Sequence, residues 1–242
     1  MWSLSSFALG LAAAAAIGAA APAGAAESLE ARAAPSLSAR VVVPATALAA
    51  PRPGARPKMR LRGATTWSGT AQRLMVTGLH QDGRGRRWVR VQLPIRPNRS
   101  AGWVRAQAVQ LSTRRVRIEV HLGSRTLEVW RGRRRLAVHP AGIGRAATPT
   151  PVGRFAIQDP VRTHPAWRSV YGSHTLTLTA HSPTLRTFMG GDALVAIHGP
   201  GTGRSWRVGR ASSFGCVILA EPALAAVARF AQAGTPVIID RA

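Results

Sequence analysis

Two short runs, Ala196-Ile197-His198-Gly199-Pro200 and Ser212-Ser213-Phe214-Gly215-Cys216-Val217, hold the single cysteine of the chain and a histidine eighteen residues before it. Each polar residue abuts an apolar stretch. Ala193 to Ile197 ends at His198, and Cys216 leads into Val217-Ile218-Leu219. Runs this short and apolar suit buried strands, and two neighbouring strands joined by a glycine-rich excursion would set thiol and imidazole side by side. A thiol at its ordinary pKa is mostly protonated at neutral pH, and an imidazole within hydrogen-bond reach converts it to a thiolate. The pair therefore reads as nucleophile and general base. Gly215 lets backbone approach closely, so that N–H groups around Cys216 would face a developing oxyanion. Taken singly, both residues have plainer readings, since a lone cysteine beside Val-Ile-Leu is more often a small buried hydrophobe and a lone histidine a structural one.

Other chemistries have few residues to work with. The chain has 9 Asp+Glu against 33 Lys+Arg, a net charge of +24, and Lys58 is its only lysine. Asp159, Asp192, Glu221 and Asp240 do not pair at a spacing that suits glycosidase or aspartic-protease work. No His-Glu-x-x-His run exists, and His164, His174 and His181 lack Cys, Asp or Glu partners at ligand spacing, so neither a metal nor an organic cofactor is expected. The excess of arginine points to anionic partners such as cell-envelope polymers. Nucleic acid is not expected, because the arginines accompany no recognisable nucleic-acid-binding motif. One cysteine excludes an intrachain disulfide.

Phe7 to Ala21 is apolar, alanine-rich and uncharged, and is followed by Ala21-Pro22-Ala23-Gly24-Ala25-Ala26. This pattern predicts a signal peptide over 1–26 and a secreted protein of periplasm or cell wall, although no Lys or Arg precedes the apolar run. Residues 27–38 are alanine-rich and read as a tether. Beyond them the chain reads as mainly β, in two domains over 39–112 and 113–242, and as a monomer. In the first, Arg73 to Gly78, Trp88 to Leu93 and Gly102-Trp103-Val104 are strand-like, with Val89, Val91 and Leu93 facing one way. Pro44 to Pro57 reads as a loop or linker. Strand, glycine turn, Trp-Val-Arg-Val, loop and Gly-Trp-Val together resemble a bacterial SH3-like barrel.

In the second domain, Val116 to Val120, Thr126 to Trp130 and Leu136 to Val138 read as three antiparallel strands with glycine turns. One helix is predicted after Ala220, with Pro222 in its first turn, an apolar stripe of Leu224, Val227 and Phe230, and Gly234 as its stop. Thr235 to Asp240 reads as a last buried strand.

These elements, in this order, resemble the L,D-transpeptidase catalytic domain of the YkuD type. The likeness is carried by Ile197-His198-Gly199, Trp206-Arg207-Val208-Gly209 and Ser213-Phe214-Gly215-Cys216-Val217, with Gly142-Ile143-Gly144, Thr148-Pro149-Thr150-Pro151-Val152-Gly153-Arg154-Phe155 and Gly234-Thr235-Pro236-Val237 around them. It departs from the family pattern at Phe214, where a second histidine is usual, and at Ile218, where arginine or asparagine is usual. The resemblance implies a β-sandwich with a capping helix, Cys216 as nucleophile, His198 as base oriented by a backbone carbonyl, and Gly215, Ser213 and Gly199 as support of the site. It implies peptidoglycan stem peptides as substrate, with Tyr171 and Trp206 as substrate-binding residues and Trp167 and His181 as further candidates for the donor groove.

Overall fold

The computed structural model describes residues 29–202 and 207–242. The predicted signal segment and Trp206 lie outside these residues. The chain divides into a unit ending at Arg32 and a unit over Ala33–Ala242. A short helix, α1, covers Leu29–Ala33. Among the described residues no helix is long and apolar enough to cross a membrane.

Seven strands fill the first half of the larger unit: β1 (Ser36–Val41), β2 (Ala45–Leu48), β3 (Pro57–Leu61), β4 (Arg73–Gln81), β5 (Arg87–Gln92), β6 (Ala101–Arg105) and β7 (Val109–Arg114). They form one antiparallel sheet in the order β3-β2-β6-β5-β4-β1-β7. The alternation read in Trp88 to Leu93 places Val89, Val91 and Leu93 in a core with Ala39, Leu61, Leu74 and Val104. Trp88 is buried as well, because its indole N–H donates to Asp82 Oδ2 at 3.2 Å and the Arg105 guanidinium lies 5.2 Å over the ring. Two expectations change. The segment read as a tether already contains the start of β1, whose Ser36 pairs with Arg114. The stretch from Pro44 to Pro57 is no linker, since β2 inside it joins the sheet between β3 and β6.

The second half holds β8 (Val116–His121), β9 (Thr126–Arg131), β10 (Arg134–Pro140), β11 (Ile143–Gly144), β12 (Gly153–Arg162), α2 (Arg168–Tyr171), β13 (His174–His181), β14 (Leu194–His198), β15 (Ala211–Ser213), β16 (Val217–Ile218), α3 (Glu221–Ala228) and β17 (Pro236–Asp240). Eight of the strands form a sheet in the order β10-β9-β8-β17-β12-β13-β14-β16, while β11 and β15 pair in parallel beside it. The predicted three-strand meander is β8-β9-β10, and the last predicted strand is β17, inserted between β8 and β12. Ile118, Val120, Leu127, Val129, Phe155, Ile157, Leu176, Leu178, Ile197 and Leu219 make the core. Helix α3 covers it with fully buried Leu224 and Val227, each contributing about 1.5–3 kcal/mol by burial.

Side-chain hydrogen bonds stitch the two sheets together. Buried Asp159 of β12 accepts from the backbone N–H groups of Trp67 (2.8 Å) and Ser68 (3.3 Å) and from the Ser68 hydroxyl. Gln92 of β5 donates to Arg154 O at 2.9 Å and accepts from Thr179 Oγ1 at 2.6 Å. Because these groups are buried, losing a partner leaves a polar atom without solvent or hydrogen bond, at a cost of about 1–3 kcal/mol.

Candidate active site

Parallel pairing of β14 and β16 sets Ile197 opposite Val217 and His198 opposite Ile218. Cys216, one residue before β16, then stands at the level of Ala196 and lines a narrow cleft together with His198, Tyr171, Ser213 and Phe214. This is the juxtaposition that the two apolar runs implied.

His198 is buried, and its Nδ1 lies 2.6 Å from Gly199 O. A carbonyl only accepts, so Nδ1 carries the hydrogen and Nε2 presents a lone pair. The ring edge of Tyr171 packs on the imidazole with 5.1 Å between centroids, and the Gly199 N–H donates to Tyr171 O at 2.8 Å. Burial lowers the His198 pKa to about 4, opposed by the Gly199 hydrogen bond and by the charge of Glu221. Burial likewise raises the Cys216 pKa to about 11, opposed by a hydrogen bond with the Ala196 backbone. At neutral pH the resting pair is therefore thiol and neutral imidazole, and forming the ion pair requires stabilisation brought by a substrate.

The loop before Cys216 is built on Ser213. Its hydroxyl donates to Cys216 O at 2.6 Å and accepts from Gly215 N at 3.1 Å, while Thr148 Oγ1 and Arg145 N both donate to Ser213 O. Gly215 has φ of +115°, which explains the glycine. Its N–H is committed to Ser213, which corrects the expectation that it faces an oxyanion. The N–H at the thiol without a partner among the described residues is that of Cys216 itself. Gly199 serves close packing, because a Cβ there would meet the Glu221 carboxylate and Gly172 Cα.

Of the predicted groove residues, Tyr171 lines the cleft. Trp167 is half exposed, 6.3 Å from the Tyr171 ring, and is not part of the lining. His181 is buried behind the cleft with Nε2 2.9 Å from Asp192 Oδ2. Residues that sequence reading missed complete the walls: Ser182, Leu185 and Phe188 line the cleft, and Phe188 stacks on Phe214 at 5.3 Å. Arg145 lies 4.3 Å over the other aromatic partner, Phe214. Glu221, read in the sequence only as an acid without a carboxylate partner, belongs to the site, since its carboxylate accepts from Ser173 N and acts on His198. The lining segment after His181 is held from the first sheet, where Arg96 donates to Ser182 O, Leu185 O and Asp192 O and Asn98 exchanges two bonds with the His181 backbone. The cleft is narrow, with a free volume of about 20 Å³, room for a water.

The family profile of the YkuD L,D-transpeptidase catalytic domain matches residues 115–239, from the start of the meander to the last strand. This chain belongs to that family. The YkuD domain accordingly contains all of the cleft described above. Among solved structures, the chain is similar to Bd1075 of Bdellovibrio bacteriovorus, with 24% identity over 52% of this chain and 48% of the other and a TM-score of 0.41. It is also similar to the C442S mutant of an Enterococcus faecium L,D-transpeptidase, with 16% identity over 52% and 50% and a TM-score of 0.39. An L,D-transpeptidase from Mycobacterium smegmatis gives 17% identity over 68% and 93% and a TM-score of 0.39. The chain spans about half the length of the first two. No curated protein sequence matches it.

Proposed function

We propose that the protein is an exported L,D-transpeptidase that forms 3→3 crosslinks in peptidoglycan. The observation that carries this reading is the placement of Cys216 and His198 in one cleft of a YkuD domain, with the Nδ1 hydrogen of His198 committed to Gly199 O. In the reaction, His198 Nε2 takes the thiol proton as Cys216 Sγ attacks the carbonyl of the third residue of a stem peptide. The Cys216 N–H stabilises the tetrahedral oxyanion. Collapse breaks the peptide bond, His198 returns the proton to the departing terminal D-alanine, and a thioester remains. The side-chain amine of a second stem then attacks the thioester, giving up a proton through His198 and restoring the thiol. Tyr171 and Phe188 offer an apolar wall for the stem peptide. The arginine-rich surface suits anionic envelope polymers, and the N-terminal sheet acts as the SH3-like wall-binding module.

A second reading, a wall-binding protein without turnover, is favoured by Phe214 in place of the usual histidine and by the neutral resting pair. Intact-mass measurement after incubation with a tetrapeptide donor, and separately with a carbapenem, distinguishes the two. A mass increase on wild type that is absent from Cys216→Ala supports the enzyme. An unmodified wild type that still sediments with peptidoglycan supports the binding protein.

A further inference from the structure

A second concavity opens where the two halves of the chain meet. Thr70, Ala71 and Arg73 line it from the first half, and β12, β13 and the end of α3 line it from the second. It shares no lining residue with the Cys216 cleft, and its volume of about 640 Å³ falls within the ~300–1,000 Å³ usual for ligand sites.

Local structure explains its shape. Arg162 of β12 stands opposite His174 of β13, and Pro160 opposite Leu176, which puts these four side chains on one face of the sheet. Ala225 of α3 and Arg229, the C-cap with helical φ and ψ, are four apart and lie on one side of the helix. Small side chains at Ala225 and Ala228 keep that side low, so the floor is the aliphatic surface of Leu176, Ala228 and Ala231.

The walls carry charge of one sign. Arg73, Arg162 and Arg229 line the groove, and no Asp or Glu does. Among the described residues, the side chains of Arg162 and Arg229 have no hydrogen bond or ion pair, and that of Arg73 reaches only Ser112 Oγ at 3.4 Å. Arg86, Arg96, Arg117 and Arg135, by contrast, each have a carboxylate partner. The acids nearest in sequence are already engaged, since Asp159 accepts from the Trp67 and Ser68 N–H groups and Glu221 from Ser173 N. Like charges therefore press on one another. Burial and the charge of Arg73 lower the pKa of Arg114, whose Nη1 donates to Gln232 of the groove. Burial and the charge of Arg162 likewise lower that of His174, against the opposite pull of Glu221. A cleft of one sign with an apolar floor focuses its field and concentrates counter-ions.

We propose that this groove binds a linear anionic polymer through phosphate or carboxylate groups that meet Arg73, Arg162 and Arg229. Arginine presents a planar fork that matches either oxyanion with two hydrogen bonds. The aliphatic floor takes the uncharged part of the polymer between those groups. Nucleic acid fits less well, because no Trp, Tyr or Phe lines the groove to stack a base. Arg73 comes from β4 and the other two arginines from the second half, so the site exists only with both halves in place. It is separate from the cleft and stands whether or not the protein turns over stem peptides.

The test follows fluorescein-labelled polyphosphate, polygalacturonate and oligo-dT by anisotropy as each binds the full chain across a salt series. Combining Arg73→Gln, Arg162→Gln and Arg229→Gln should weaken binding of the polymer about tenfold and make the slope of log K against log salt shallower by about 2. Ala225→Glu places a carboxylate at an exposed helical position of the groove and leaves every arginine in place. It should weaken binding in the same direction, and it decides the matter should the triple variant fold poorly. A charge-matched control combines Arg52→Gln, Arg56→Gln and Arg60→Gln, all exposed and outside the groove, and should change binding by less than about threefold. Tighter binding of polyphosphate assigns phosphate as the recognised group, and tighter binding of polygalacturonate assigns carboxylate; either upholds the groove. Three results overturn the proposal: no binding of either polymer at low salt, an equal loss in the control, or tighter binding of oligo-dT than of both polymers.

Discussion

The Arg96 guanidinium, from the loop between β5 and β6, lies 3.3 Å from Asp192 Oδ1, and Asp192 in turn holds buried His181 through its other carboxylate oxygen at 2.9 Å. Together with the bonds from Arg96 to the carbonyls of Ser182 and Leu185 (2.9 and 2.8 Å), this pair spans the segment that walls the cleft. The exposed Arg96–Asp192 ion pair adds little by itself. What holds the segment is the planar fork on several carbonyls, which lysine cannot reproduce.

Arg96→Ala and Arg96→Lys are therefore both expected to speed amide hydrogen exchange over 182–193 while leaving β8 and β9 unchanged. Acylation of Cys216 by a carbapenem should slow about tenfold, because Leu185 and Phe188 no longer present a fixed wall. Unaltered exchange in that segment would contradict the clamp.

The resting thiol is predicted to be unreactive. With the Cys216 pKa raised to about 11 by burial, alkylation by iodoacetamide should be slow at pH 7 and climb steadily beyond pH 9, followed by intact mass. An inflection below pH 8 would mean that His198 already holds a thiolate without substrate.

His198 links stability to pH. Its folded pKa is depressed to about 4, so between pH 4 and its ordinary value near 6.5 the unfolded chain binds the proton and the folded chain does not. Stability should fall as pH drops through that window, by up to about 3 kcal/mol. Denaturant unfolding of wild type and His198→Gln at pH 7 and pH 4.5 checks this, with the variant expected to lose less.

Ser213→Ala removes the donor to Cys216 O and the acceptor of the Gly215 N–H in one step. Since Ser213 is buried, the expected loss is about 1–3 kcal/mol, with slower acylation because the loop bearing Cys216 loses its frame. Urea unfolding and carbapenem acylation rates measure the two effects, and Ser213→Thr should restore part of each.

Much of the second half of the chain was legible because its strands are short apolar runs between glycine turns, and their burial follows from that pattern alone. The meander, β17, the start of α3 and the placement of Cys216 and His198 in one cleft were readable, whereas α3 ends at Ala228, short of Phe230 and of the stop read at Gly234. Gly215 was read as an oxyanion support, yet its N–H goes to Ser213, a bond that depends on the loop folding back on itself. Arg96 and Asp192 are 96 residues apart, and no local period signals such a contact. The strand β2 was hidden by Pro44 and Pro57, which read as loop chemistry, although Pro57 opens β3 and pairs with Leu48 across a shift in register. Glu221 was seen as an isolated acid because its partners, Ser173 N and His198, come from other elements.

Glu221 and Gly199 make the last test. A Cβ at Gly199 would collide with Glu221 Oε1 and come within 3.0 Å of Gly172 Cα, so Gly199→Ala must move either the carboxylate or the α2–β13 turn. The Gly199 carbonyl that holds His198 Nδ1 moves with it. Gly199→Ala should therefore destabilise the fold by a few kcal/mol and reduce acylation more than Glu221→Gln, which keeps the acceptor for Ser173 N and removes only the charge. Combining Gly199→Ala with Glu221→Ala, which removes the carboxylate, should not restore activity, because the contact with Gly172 Cα is backbone and persists. Recovery in the double variant, read by acylation rate and melting temperature, would show that the carboxylate alone is what Gly199 makes room for.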